Sequence, residues 1–75
     1  MDLFCTRLKT LRTNKGLAQR EVGEALGIAE SAYRRYELGL VNPGKTLLIA
    51  LADFFDVSLD YLVGRGDNPN SHKGK

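Results

Sequence analysis

Two stretches of the chain carry residue types that can do chemistry. Residues 39–46 read GLVNPGKT and satisfy G-x-x-x-x-G-K-[ST], the pattern of a loop whose backbone amides and lysine cradle nucleotide phosphates. Residues 30–37 read ESAYRRYE, which sets two arginines, a serine and two carboxylates within about two helical turns. Such groups hydrogen-bond base edges or phosphates. The first stretch asks for a nucleotide hydrolase and the second for a nucleic-acid binder.

The elements around each stretch decide between them. A phosphate-binding loop works at a strand-to-helix junction in a parallel sheet, and each parallel pair needs a crossover of a dozen or more residues. The chain has 75 residues, and only 29 follow Thr46. That leaves no room for further strands or for a strand-end aspartate to hold magnesium. The apolar spacing is also helical throughout. Leu3, Phe4, Leu8 and Leu11 mark a helix from about 2 to 13, closed by Gly16, and Val22, Ala25 and Leu26 mark a second from about Gln19, stopped by Gly27. In the third helix Ala32, Tyr33 and Tyr36 fall on one side, while Glu30, Ser31, Arg34 and Arg35 fall on the other. Gly39 ends that helix, so the first glycine of the apparent phosphate loop is a helix stop. The run TLLIALADFF is apolar on more than one side, as a central helix requires, and VSLDYLVG carries Ser58 as N-cap, with Val57 and Leu62 at hydrophobic-staple spacing. The expected fold class is all-α: five helices and no strand, over residues 1–64. Residues 65–75, RGDNPNSHKGK, read as a disordered polar tail.

Composition narrows the functional classes. Hydrophobic residues are 43% of the chain and charged residues 27%, which suits one small soluble domain. No apolar run approaches the roughly 18 residues of a membrane span, and a cytoplasmic location is expected. One cysteine, Cys5, and one histidine, His72, make neither an internal disulfide nor a metal cluster, so no metal and no cofactor is expected. Residues 1–45 hold eight basic side chains against five acidic ones, whereas residues 46–64 hold three aspartates and no base. The first part is therefore the one suited to a polyanion.

Taken together, FCTRLKTLRTNKGLAQREVGEALGI, SAYRRYELG and VSLDYLVG resemble the helix-turn-helix family of the lambdoid phage repressors and Cro proteins, often called the Xre family. Gln19 stands at the first position of the two-helix motif, small Gly23 where the helices touch, and Gly27 at the turn. The resemblance implies a λ-repressor-like five-helix DNA-binding domain, with the helix at about 29–37 in the major groove. It assigns Ala29, Glu30, Ser31, Arg34 and Arg35 to the base-reading side. Gln19 matches a phosphate-contacting glutamine, and Arg20, Asn42 and Lys45 join it as phosphate candidates. Arg12 and Glu37 match a family ion pair between helices 1 and 3. On the reading helix, Arg35 points outward with a fork suited to guanine, and Arg34 points more toward the groove wall, where it could equally hold a phosphate. GLVNPGKT becomes the loop between helices 3 and 4, a phosphate contact without hydrolysis.

The expected function is that of a sequence-specific double-stranded DNA-binding regulator, repressor-like, acting as a weak homodimer on a palindromic operator, with no small-molecule substrate. The alternative is a protein-interaction module of the same fold, such as an antitoxin domain gripping a partner. Three features depart from the family pattern: Ala18 and Ala29 stand where a hydroxyl usually caps helices 2 and 3, Gly44 stands before helix 4, and Glu30 is acidic.

Overall fold

The computed structural model describes residues 2–69. They form five helices: α1 (Asp2–Asn14), α2 (Gln19–Leu26), α3 (Glu30–Leu38), α4 (Lys45–Phe55) and α5 (Leu59–Leu62), with no strand among the described residues. α3 packs on α2 and α1, and α5 packs on α1 and α4. Phe4, Leu8, Val22, Tyr33, Leu51 and Leu62 are fully buried at the centre, so every helix sends at least one side chain into one shared core.

Local chemistry explains the helix ends. Gly27 and Gly39 adopt φ of 74° and 76°, left-handed backbone that terminates α2 and α3. α2 starts without a side-chain cap because Ala18 has no acceptor, yet Glu21 Oε1 accepts from the Ala18 backbone amide at 2.7 Å. Half of a capping box therefore remains. α5 has its full cap, with Ser58 Oγ accepting from the Tyr61 amide at 3.0 Å. Val57 and Leu62, the staple pair, are both buried.

The apolar stripe of each helix is only partly buried. Leu3 is 49% exposed in the first turn of α1, where its neighbour Phe4 is fully buried. Ala25 is exposed on α2, where the burial is made by Val22 and Gly23. Residues 65–69, the beginning of the expected polar tail, run back over the body. Arg7 Nη1 donates to the carbonyls of Tyr61 and Gly66 at 2.6 and 2.7 Å. The Ser58 amide donates to the Pro69 carbonyl. The expectation of disorder for residues 70–75, His72 among them, lies outside the described residues.

Candidate nucleic-acid interface

The α2–turn–α3 unit depends on a close approach. A Cβ on Gly23 would lie 2.9 Å from the Ile28 carbonyl oxygen, so the backbone leading into α3 passes directly over α2. Any side chain at this position would push the two helices apart. Tyr33 is fully buried and Tyr36 is half-buried against the core, which turns the opposite face of α3 outward. On that outer side Ala29, Glu30, Ser31, Arg34 and Arg35 are all exposed.

α3 is anchored by a buried ion pair. Arg12 Nε and Nη2 donate to Glu37 Oε2 and Oε1 at 2.6 and 3.1 Å, with the two side chains 11% and 3% exposed. Glu37 Oε2 also accepts from the Tyr33 hydroxyl at 2.6 Å, and Oε1 from Gln19 Nε2 at 3.1 Å. Four donors saturate the carboxylate, which has about four acceptor sites. Arg12 spends its remaining nitrogen on the Leu17 carbonyl at 2.8 Å, tying down the α1–α2 connection. Burial works against the charged carboxylate, but the hydrogen bonds from Arg12, Tyr33 and Gln19 outweigh it and hold Glu37 below the usual glutamate range. The hydrogen bond to Glu37 raises the Arg12 guanidinium, and burial together with the Glu37 carboxylate raises the Tyr33 phenol.

The network then continues to the surface. Gln19 Oε1 accepts from Arg34 Nε at 3.2 Å, and Arg34 Nη2 donates to Glu30 Oε2 at 3.1 Å. Gln19 therefore joins the buried pair to the outer face of α3. Its amide orientation is chemically forced: a carboxylate cannot donate and a guanidinium cannot accept, so the NH2 must face Glu37 and the oxygen must face Arg34.

The structure thus brings Arg12, Gln19, Glu30, Arg34 and Glu37 into one connected network and leaves other candidates apart. Arg20 faces Glu24 at 4.0 Å, a loose pair with both side chains about 70% exposed. Asn42, in the α3–α4 loop, and Lys45, the first residue of α4, are exposed. The Arg35 side chain, also exposed, makes no hydrogen bond or ion pair among the described residues. GLVNPGKT runs from the C-cap of α3 to the first turn of α4, a helix-to-helix connection without the strand that a nucleotide loop needs.

Besides the bonds of Gln19 to Glu37 and Arg34, the contacts of two residues escape the sequence reading. Tyr33, read as core alone, also carries a hydroxyl that completes the Glu37 shell, and its i,i+4 spacing to Glu37 is the signal that could have found it. Arg7, on α1, stacks over the Tyr61 ring at 4.1 Å, grips the carbonyls of residues 61 and 66, and pairs with Asp67 at 3.2 Å. No local pattern marks it.

A short glycine-containing turn between α2 and α3, a polar outer face on α3 and a buried arginine–glutamate anchor define a helix-turn-helix domain. The family described as Helix-turn-helix matches residues 8–62, and the chain belongs to this family, in its Xre-type branch. It is 38% identical over 68 residues to the uncharacterized HTH-type transcriptional regulator YobD of Bacillus subtilis (strain 168), covering 91% of this chain and 61% of that protein. The uncharacterized HTH-type transcriptional regulator YqaE of the same organism is 43% identical over 61 residues, 81% of this chain and 53% of its own length. HTH-type transcriptional regulator AnsR, also from that organism, is 42% identical over 59 residues, 79% of this chain and 51% of its own. The chain therefore spans about half to three-fifths of the length of these relatives. No solved structure gives a significant match.

Proposed function

We propose that the chain is a sequence-specific, double-stranded DNA-binding transcriptional regulator of the repressor-like kind, with α3 as its recognition helix in the major groove. The carrying observation is the two-sided character of α3. Tyr33 and Tyr36 fasten one side to the core, and Ser31, Arg34 and Arg35 stand exposed on the other. A rigidly mounted helix with an exposed polar face is what reading base edges requires. Ala29, Glu30, Ser31, Arg34 and Arg35 make up the side of α3 that faces the DNA, and Gln19, Arg20, Asn42 and Lys45 are phosphate-contact candidates around it. Neither group is proposed for catalysis, and the location proposed is the cytoplasm.

The body measures 33 × 23 × 23 Å. One copy can cover one half-site, and a second copy beside it would lie about one helical turn away, roughly 34–36 Å. A weak two-fold dimer on a palindromic operator is therefore the assembly proposed. Selection of bound sequences from random duplexes tests function and symmetry together: enrichment of an inverted repeat is the expected result, and failure to enrich any sequence overturns DNA reading.

A second reading, a protein-interaction module, draws on one observation. Leu38, Leu40 and Val41 are 62%, 68% and 42% exposed at the end of α3 and in the loop beyond. Stable co-purification of a partner protein, in place of DNA binding, would favour it.

A further inference from the structure

Arg34 and Arg35 are neighbours in sequence but not in circumstance. Arg35 is exposed, and its side chain makes no hydrogen bond or ion pair among the described residues. Arg34 is held from two directions, with its Nε on Gln19 Oε1 of α2 and its Nη2 on Glu30 Oε2 one turn back along α3. The two acceptors take the Nε–H and one Nη2–H of the planar guanidinium, and of its five N–H donors three remain, one on Nη2 and two on Nη1. The holding group is itself held, because Gln19 is bound through Nε2 to Glu37, whose side chain is 3% exposed. Arg34 is thus the surface end of a chain of hydrogen bonds that begins inside the protein.

Resting on the DNA-reading function above, we propose that Gln19 and Glu30 are positioning residues that brace Arg34 as a preformed clamp on the DNA backbone, and that Glu30 itself reads no base. Three considerations support this division. The Glu30 carboxylate lies 3.1 Å from a guanidinium nitrogen, so pairing with cytosine N4 would have to compete with an existing charge-assisted hydrogen bond. The guanidinium is drawn off the axis of α3 and across to Gln19, the first residue of α2, which places it beside the groove-reading face of α3 and not at its centre. A guanidinium edge with its donors in parallel also matches two phosphate oxygens, and bracing it beforehand removes rotamer freedom that a free arginine would lose on binding. Base discrimination then rests with Arg35 and Ser31, the exposed polar side chains of the face that no acceptor has claimed.

The test is a double-substitution cycle at positions 30 and 34, with affinity measured at two salt concentrations on the selected duplex and on a scrambled one. Arg34→Ala should weaken both complexes by similar factors, about tenfold, and lower the salt slope by about one per half-site. In the Arg34→Ala protein, Glu30→Ala should strengthen both complexes, because an unpaired acid no longer repels phosphates. With Arg34 present the gain should be at least threefold smaller, since the brace is lost along with the repulsion. Repeating the selection with Glu30→Ala should return the same preferred sequence. Loss of preference at one base pair in that selection would show that Glu30 reads DNA, and equal effects of Glu30→Ala with and without Arg34 would show that it does not act on Arg34. Either result overturns the inference while leaving DNA binding intact, whereas a wild type that selects no duplex removes the function on which it rests.

Discussion

Replacing Arg12 with methionine removes half of the hydrogen bonds that keep Glu37 charged in the interior. The guanidinium contributes the contacts at 2.6 and 3.1 Å, and Tyr33 and Gln19 retain the other two. Breaking a buried pair by deleting one partner costs about 3–5 kcal/mol, and the two surviving donors place this case near the lower figure. A domain of 75 residues has a total stability of about 4–11 kcal/mol at 0.05–0.15 kcal/mol per residue. Arg12→Met should therefore consume a large part of it and bring the denaturation midpoint down steeply, as followed by helical circular dichroism in urea.

The pH dependence supplies a sharper check, because its sign reverses. In the wild type the folded-state Glu37 carboxyl lies below its ordinary value, so its stabilisation is present above the unfolded value near 4.3 and is lost as pH falls through the folded one. Without Arg12, burial becomes the dominant influence and pushes the carboxyl above the ordinary range. Its folded form then favours the proton, and the variant loses stability as pH rises through that raised value. The gap between wild type and variant should accordingly narrow on acidification from pH 7 to about pH 4. A cost below about 1 kcal/mol at pH 7, or a cost that is the same at both pH values, would refute the claim that a buried, ionised Glu37 anchors α3.

The remaining predictions concern backbone geometry and the surface. Gly23→Ala should destabilise the domain by about 1–3 kcal/mol in thermal unfolding, because its Cβ would meet the Ile28 carbonyl oxygen at 2.9 Å. Gly27→Ala meets no atom within 4 Å and should cost only its left-handed strain, roughly 1–2 kcal/mol. Ala18→Ser should stabilise by about 1 kcal/mol, since Glu21 already supplies the reciprocal half of the capping box and the new hydroxyl would complete it; an unchanged melting temperature would count against this. Lys45→Ala should weaken binding to every duplex by about 1 kcal/mol or less, and ATP turnover in the purified wild type would overturn the reading of residues 39–46 as a DNA-backbone loop.

What was legible in the sequence is what local physics determines. The five helices, their glycine stops and the two faces of α3 follow from apolar spacing and from the left-handed preference of glycine, both readable within a few residues. Within α3 the Glu30–Arg34 and Tyr33–Glu37 contacts have i,i+4 spacing, a local signal passed over when Glu30 is read as a base contact and Tyr33 as core. The other contacts that escaped are those whose partners meet only after the chain has folded. Gln19 lies 15 residues from Arg34 and 18 from Glu37, and Arg7 reaches partners 54 to 60 residues away. Pattern reading sees an exposed glutamine and an arginine on a polar face, with nothing to say what either will hold.

That limit falls on the feature that links stability to reading. Gln19 alone would be one more polar residue at a helix start, free to turn its amide either way. Between a carboxylate that only accepts and a guanidinium that only donates, it has one orientation, and reversing it would cost both hydrogen bonds. The ionisation of Glu37 in the core therefore bears on one of the two acceptors that hold Arg34 at the surface. A substitution that neutralises Glu37 should affect the outer face of α3 even where the fold survives, because a neutral partner able to donate would let the Gln19 amide turn. Arg34 would then lose one of the two acceptors that brace it. The buried ion pair thus has a second consequence beyond anchoring α3, and it is carried by a single amide.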